Sequence, residues 1–175
     1  MGVGADTLVS SANLRPRGHA PLPLALEEMR HCDLAAVVGL ERRTFAQPWS
    51  ADLFLRELRL PFSRIILART PSVAGPELVG YVCHWLNTEE VEIQNVAVAP
   101  EWRRRSVARR LIEYVLGEAS EAGAERATLE VRVHNHPAIR LYRTFGFREI
   151  GHRGGYYADG EDAVLMELRI DRGGR

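Results

Sequence analysis

The stretch VEIQNVAVAPEWRRRSVARR, residues 91–110, decides the fold. Its first eight residues are rich in β-branched and apolar side chains and read as a strand that ends at Pro100. Three consecutive arginines, Arg103, Arg104 and Arg105, fill the turn that follows. From Val107 the apolar spacing becomes helical: Val107, Leu111, Val115 and Ala119, with Ala108, Ile112 and Leu116, trace one side of a long helix that Gly123 terminates. A strand running through a short basic turn into a helix is physically an anion site. The first-turn amides have no intrahelical acceptor, the helix dipole adds positive potential, and guanidinium groups supply paired donors. A pyrophosphate suits it. On charge alone a solvated basic edge suits it as well, so the rest of the chain must decide.

Downstream, residues 127–133 read as a strand, 137–145 as a helix capped by Asn135 and stopped by Gly146, and 147–151 and 163–170 as two more strands. Upstream, residues 24–28 read as a first strand. Asp33 is a cap for a helix carrying Leu34, Val37, Val38 and Glu41, and Gln47-Pro48-Trp49-Ser50 is a turn. Ser50 caps a second helix, with Phe54, Leu55 and Leu58 on one face, that Pro61 stops. Residues 64–69 and 78–86 read as a hairpin joined around Gly75. The order β-α-α-β-β-β-α-β-α-β-β predicts an α/β fold, a mixed sheet with helices on both faces, parallel where a helix bridges two strands. No repeat or long linker divides the chain, so one domain over 22–171 is expected between a flexible leader, 1–20, and a loose tail, 172–175.

Of the 175 residues, 23 are basic and 23 acidic, and every basic one is Arg. The absence of lysine excludes a Schiff-base lysine, a P-loop lysine and a lysine general base. Zero net charge argues against a polyanion or an anionic membrane as the main partner. Cys32 and Cys83 form no CxxC pair, no stretch of 18 apolar residues exists, and the N-terminus lacks a signal pattern, so a cytoplasmic protein is expected.

Glu130 stands inside a strand between Leu129 and Val131, where an acid must be solvated at a cleft, paired or functional. Pairing with a neighbour such as Arg132 is the plain alternative. Tyr142, on the following helix, reads equally as a half-buried packing residue. His134 and His136 lack further ligands of metal spacing, so no metal is expected. Cys83 reads as a buried small hydrophobe, and neither GxGxxG nor GxSxG is present.

Taken together, these residues resemble the GNAT acetyltransferase superfamily over roughly residues 24–170. The cofactor signature of that family, Arg or Gln, two residues, Gly, any residue, then Gly or Ala, corresponds to Arg103-Arg104-Arg105-Ser106-Val107-Ala108. Phe45, Pro48-Trp49-Ser50, Asn95-Val96-Ala97-Val98, Leu129-Glu130-Val131-Arg132, Asn135, Leu141-Tyr142, Gly146-Phe147, Tyr156-Tyr157, Asp162-Ala163 and Met166 are similar to its RimI-type branch. That branch acetylates the N-terminal alanine of a small-subunit ribosomal protein.

The resemblance implies a mostly antiparallel sheet, acetyl-CoA as co-substrate, and roles residue by residue. Val96, Ala97 and Val98 would bond the pantetheine arm through main-chain groups. Amides from Arg104, Arg105, Ser106, Val107, Ala108 and Arg109 would hold the pyrophosphate, and Asn135 would contact the cofactor further along. Glu130 would be the general base and Tyr142 the general acid, with Glu92 a competitor as base or a peptide-recognition residue. Trp49, Tyr156 and Tyr157 would line the acceptor groove, with plain packing the alternative for each. The expected partner is the N-terminus of a ribosomal protein, with no direct nucleic acid or membrane contact and a monomer or weak dimer. One departure is Ser106, where the family has glycine. A serine fits there if its φ is negative. Alternatives are an acetyltransferase acting on a small amine or lysine side chain, a non-catalytic acyl-CoA-binding module, and an RNA-associated protein using the arginine cluster.

Overall fold

The computed structural model describes residues 23–73 and 75–170, so the expected leader and tail lie outside the described residues. The elements follow the expected order: β1 (Ala25–Glu28), α1 (Leu34–Thr44), α2 (Ala51–Glu57), β2 (Ser63–Thr70), β3 (Glu77–Leu86), β4 (Glu90–Val98), α3 (Val107–Ala122), β5 (Arg126–Arg132), α4 (His136–Phe145), β6 (Arg148–Arg153) and β7 (Ala163–Arg169). The seven strands form one sheet in the order β1-β2-β3-β4-β5-β7-β6. Only β4 and β5, bridged by α3, run parallel.

Each face is covered by the apolar stripes that the sequence displays. On one face, Val107, Leu111, Ile112, Val115 and Ala119 of α3 pack on Val79, Val82, Val91, Ile93, Leu129 and Val131, and α4 adds Ile139 and Tyr142. On the other, Val37, Leu40 and Phe54 of α1 and α2 cover Ile65, Leu67, Tyr81, Cys83 and Ala97. That second core draws on β2, β3 and β4, so the same face of β5, β7 and β6 stays more open; Ile150 is 58% exposed. Ser50 caps α2 by accepting the Leu53 N–H. Asp33 precedes α1 as expected but does not cap it with its side chain. Its carboxylate is taken by the Arg30 N–H at 2.8 Å and by the Arg69 guanidinium at 2.7 Å, since a charged donor outcompetes a helix amide.

β4 is not a simple alternating strand. Cys83 pairs with Asn95 but His84 pairs with Ile93, leaving Gln94 as an extra residue. The bulge reverses the facing of everything beyond it. Val91 and Ile93 point to α3, and so do Val96 and Val98; Ala97 points to α1 and α2. Glu92 therefore shares a face with Asn95, which strict alternation forbids.

Gly80, opposite Val98, lets the start of α3 settle on this part of the sheet. A Cβ there would come within 2.8 Å of the Ala97 carbonyl oxygen and 2.9 Å of Val107 Cγ1. Gly80→Ala is expected to lower stability by about 1–3 kcal/mol. Val107 opens the helix whose first turn is the candidate anion site, so the variant should also weaken coenzyme A binding. Urea denaturation and CoA titration calorimetry check both.

Candidate active site

Pairing of β4 with β5 covers only Glu90–Ile93 and Arg126–Leu129. Beyond that point the facing edges of the two strands have no strand between them, and a seam opens at their C-terminal ends. One side of the seam carries the main-chain groups of Val96, Ala97 and Val98, whose other edge is occupied by β3. The basic turn and the start of α3 follow β4 at this same end.

In that turn Arg104 (φ 61°) and Ser106 (φ 63°) are left-handed although neither is glycine. The serine therefore does not meet the negative-φ condition under which it fits, and its hydroxyl makes no cap. Left-handed residues turn successive amides toward one side, which suits an anion, and the strain is held by the packing around it. Trp102 is fixed by donating to Glu77 Oε1 at 3.2 Å and lies 5.0 Å below the Arg105 guanidinium. The Arg109 side chain reaches α4, donating to Thr144 Oγ1 at 2.9 Å and covering Phe145, so its guanidinium is already engaged. Asn135 caps α4 by accepting the Ala138 N–H at 3.3 Å, so only its amide nitrogen remains to reach a ligand. The free β4 edge and the basic helix start together fit a ligand with an amide-bearing arm and a pyrophosphate. Ser106→Gly removes the left-handed penalty and is expected to raise stability by about 1 kcal/mol. By removing the Cβ it should also tighten CoA binding several-fold, read by thermal melting and calorimetry.

Glu130 is the first β5 residue past the paired segment, on the face away from Leu129 and Val131. Its partner is Arg153, not Arg132: Arg153 Nη1 lies 2.7 Å from Glu130 Oε1. Arg132 is instead held by Asp159 at 2.8 Å and Glu161 at 2.7 Å, with its guanidinium 3.9 Å from the Tyr157 ring centre. Glu161 also meets His134 Nδ1 at 3.0 Å, so the loop between β6 and β7 is pinned to the end of β5. Tyr156 and Tyr157 meet edge to face at 5.2 Å on that loop. A hydrogen bond with Glu130, more than burial, raises the Tyr156 pKa. Burial pushes Tyr157 up to about 12. A cavity of about 230 Å³ opens here, lined by Glu90, Glu92, Thr128, Glu130, Ile150 and Arg153. Glu90 is engaged by Thr128 Oγ1 at 2.5 Å and Arg126 at 3.1 Å.

Tyr142 starts from the opposite face of the sheet, against Phe147 at 5.7 Å in the core under α3 and α4. Burial, followed by the charge of Tyr157, raises its pKa well above the ordinary phenol range. Tyr142 thus feels Tyr157, and Tyr157 feels Glu130. Tyr142 and Glu130 therefore belong to opposite faces of the sheet rather than lying side by side in one cleft.

Trp49 packs on Phe54 at 5.5 Å, and its amide donates to Glu41 Oε1 at 3.0 Å. Glu41, 1% exposed, also accepts from the Tyr81 hydroxyl at 2.5 Å and from Asn95 Nδ2 at 3.2 Å. Its sequence signal is an acid on the apolar side of α1, beside Val37 and Val38. No group of three or more His, Cys, Asp or Glu side chains is placed to hold a metal ion among the described residues.

The site is thus a sheet split between two parallel strands with a basic helix start at the split. The chain belongs to the acetyltransferase (GNAT) family, whose model matches residues 34–147. It is 36% identical over 149 residues to a Bacillus subtilis protein provisionally named a ribosomal protein bS18-alanine N-acetyltransferase, covering 84% of this chain and 96% of that one. The Escherichia coli ribosomal protein bS18-alanine N-acetyltransferase is 32% identical over 148 residues, covering 83% and 97%. The crystal structure of the ribosomal-protein-S18-alanine N-acetyltransferase from Escherichia coli superposes with a TM-score of 0.77 at 29% identity, covering 87% of this chain and 97% of that one.

Proposed function

We propose that this protein transfers the acetyl group of acetyl-CoA to the N-terminal amine of a protein that begins with alanine, a small-subunit ribosomal protein by analogy with its relatives. Glu130 carries the reading: a carboxylate at the mouth of the seam, facing a cavity open to the outside, with Tyr156 and Tyr157 close enough to sense its charge. Localisation to the cytoplasm and action as a monomer or weak dimer, with no direct nucleic acid contact, belong to the same proposal.

The main-chain edge at Val96, Ala97 and Val98 holds the pantetheine arm as an added strand would, and the amides of residues 104–109 hold the pyrophosphate. Acetyl-CoA supplies an activated thioester carbonyl. Glu130 takes the proton that the α-ammonium must lose, directly or through water. An α-amine has a pKa of about 7.7–8.0, against about 10.4 for a lysine side chain. Freeing the first near pH 7 costs about 1 kcal/mol and the second about 4–5 kcal/mol, so a single carboxylate meets the smaller demand. A main-chain N–H of β4 stabilises the developing oxyanion. As nitrogen bonds the carbonyl carbon and the carbon–sulfur bond breaks, the Tyr142 hydroxyl, kept protonated by burial, donates to the departing sulfur, and the second proton that the nitrogen sheds on becoming an amide restores the Tyr142 phenol through solvent.

Thiol release with three peptides tests the reading: one with a free N-terminal alanine, the same peptide N-blocked, and an N-blocked peptide containing lysine. Turnover of the first alone is the expected result. Turnover of the lysine peptide at a similar rate would assign a side-chain acceptor, and CoA binding without any turnover would leave a binding module.

A further inference from the structure

Glu130 is 20% exposed at its side chain, and its cation, Arg153, is 55% exposed at the last residue of β6. A proton acceptor that already holds a guanidinium at 2.7 Å must exchange it before an ammonium can approach. We infer that Arg153 stands in for the substrate's ammonium in the free protein, a displaceable counter-ion whose exchange for the incoming α-ammonium sets acceptor affinity. The inference rests on the functional reading above.

Exchange is cheap on both sides. A half-exposed ion pair contributes about 0–1 kcal/mol, so the guanidinium leaves readily. An ammonium brings one positive charge and three donors, so the charge balance around Glu130 is the same before and after. The displaced guanidinium keeps a resting place, because it lies over the Tyr156 ring, 5.6 Å from its centre. Arg132 shows what a fixed arginine looks like in the same region: two carboxylates and a ring at 3.9 Å hold it. The groups lining this cavity with Glu130 are Glu90 and Glu92 from β4, Thr128 from β5, Ile150 and Arg153 from β6, and Leu165 and Met166 from β7. Arg153 is the only cation among them. Arg153 is accordingly a positioning residue that competes with substrate.

The test compares wild type, Arg153→Met and Arg153→Lys in steady-state acetyl transfer to a free Ala-starting peptide, and in calorimetric binding of that peptide with CoA present. Arg153→Met is expected to lower the peptide KM and Kd about three- to five-fold, the most that such a pair can withhold. The acetyl-CoA KM should not move, and Arg153→Lys should restore wild-type values. The N-blocked peptide, lacking the cation, should gain nothing. Unchanged or weaker peptide affinity in Arg153→Met, or an equal shift in the acetyl-CoA KM, overturns the exchange. Absence of turnover in every variant would defeat the functional reading while the calorimetric affinities still decide the exchange, and absence of peptide binding altogether defeats both.

Discussion

Glu130→Gln is expected to lower kcat for the free Ala-starting peptide by about 10²–10⁴-fold, the contribution of a positioned general base. The substitution preserves the shape of the side chain and leaves the seam, the basic turn and α3 untouched, so the CoA dissociation constant should stay at its wild-type value. The residual rate should climb with pH as the amine deprotonates unaided, with a midpoint of about 8, the ordinary α-amine value. Thiol-release kinetics across pH, with CoA calorimetry beside them, read both expectations. Glu92→Gln is the necessary comparison. Glu92 lines the same cavity and pairs with Thr128, two residues before Glu130 on β5. A fall for Glu92→Gln as large as for Glu130→Gln would move the proton to Glu92 or share it between the two. A rise in peptide KM alone for Glu92→Gln would make it a recognition residue.

Local signals in the sequence are enough for the strand, basic turn and long helix of residues 91–122, since period, proline and glycine act within a few residues of one another. The element order followed for the same reason. What could not be read is long-range register. Nothing in VEIQNVAV announces that Gln94 is an extra residue, because a bulge is defined by the partner strand; yet it alone brings Glu92 and Asn95 to one face. The seam exists because β4 and β5 pair over four residues and then part, which is set by packing of α3 and by β7 on the far side of β5. Sequence proximity points Glu130 to Arg132, two residues away, whereas Arg153 approaches from a hairpin placed beside β5 by β7. At Ser106 the residue type signals negative φ, but the turn imposes +63°. There the tertiary structure overrides local preference, and it does so where a ligand is expected.

The clearest case of a signal present but easily passed over is Glu41, and its replacement should be the most damaging to the fold. Glu41→Ala deprives the Trp49 amide, the Tyr81 hydroxyl and Asn95 Nδ2 of a common acceptor in a site that is 1% exposed. Breaking a buried charged network in this way costs about 3–5 kcal/mol. For a domain of this size the loss corresponds to a fall in Tm on the order of 10 °C. Glu41→Gln, which keeps an acceptor, should lose much less. Burial raises the Glu41 pKa above its ordinary value, against the pull of its hydrogen bonds to Tyr81, Trp49 and Asn95. The folded state therefore holds a proton there more readily than the unfolded chain does. That part of the stability is present at low pH and is lost as pH rises through the raised pKa, a limb that Glu41→Gln should flatten. The effect reaches the site from both ends, because Trp49 heads the loop before α2 and Asn95 directly follows the Gln94 bulge. A raised peptide KM in Glu41→Gln, with the acetyl-CoA KM held, would place the weight on the Trp49 loop; a raised acetyl-CoA KM would place it on β4. A Glu41→Ala protein that melts with the wild type would show that the three donors find water instead, and the network would then have no part in shaping the seam.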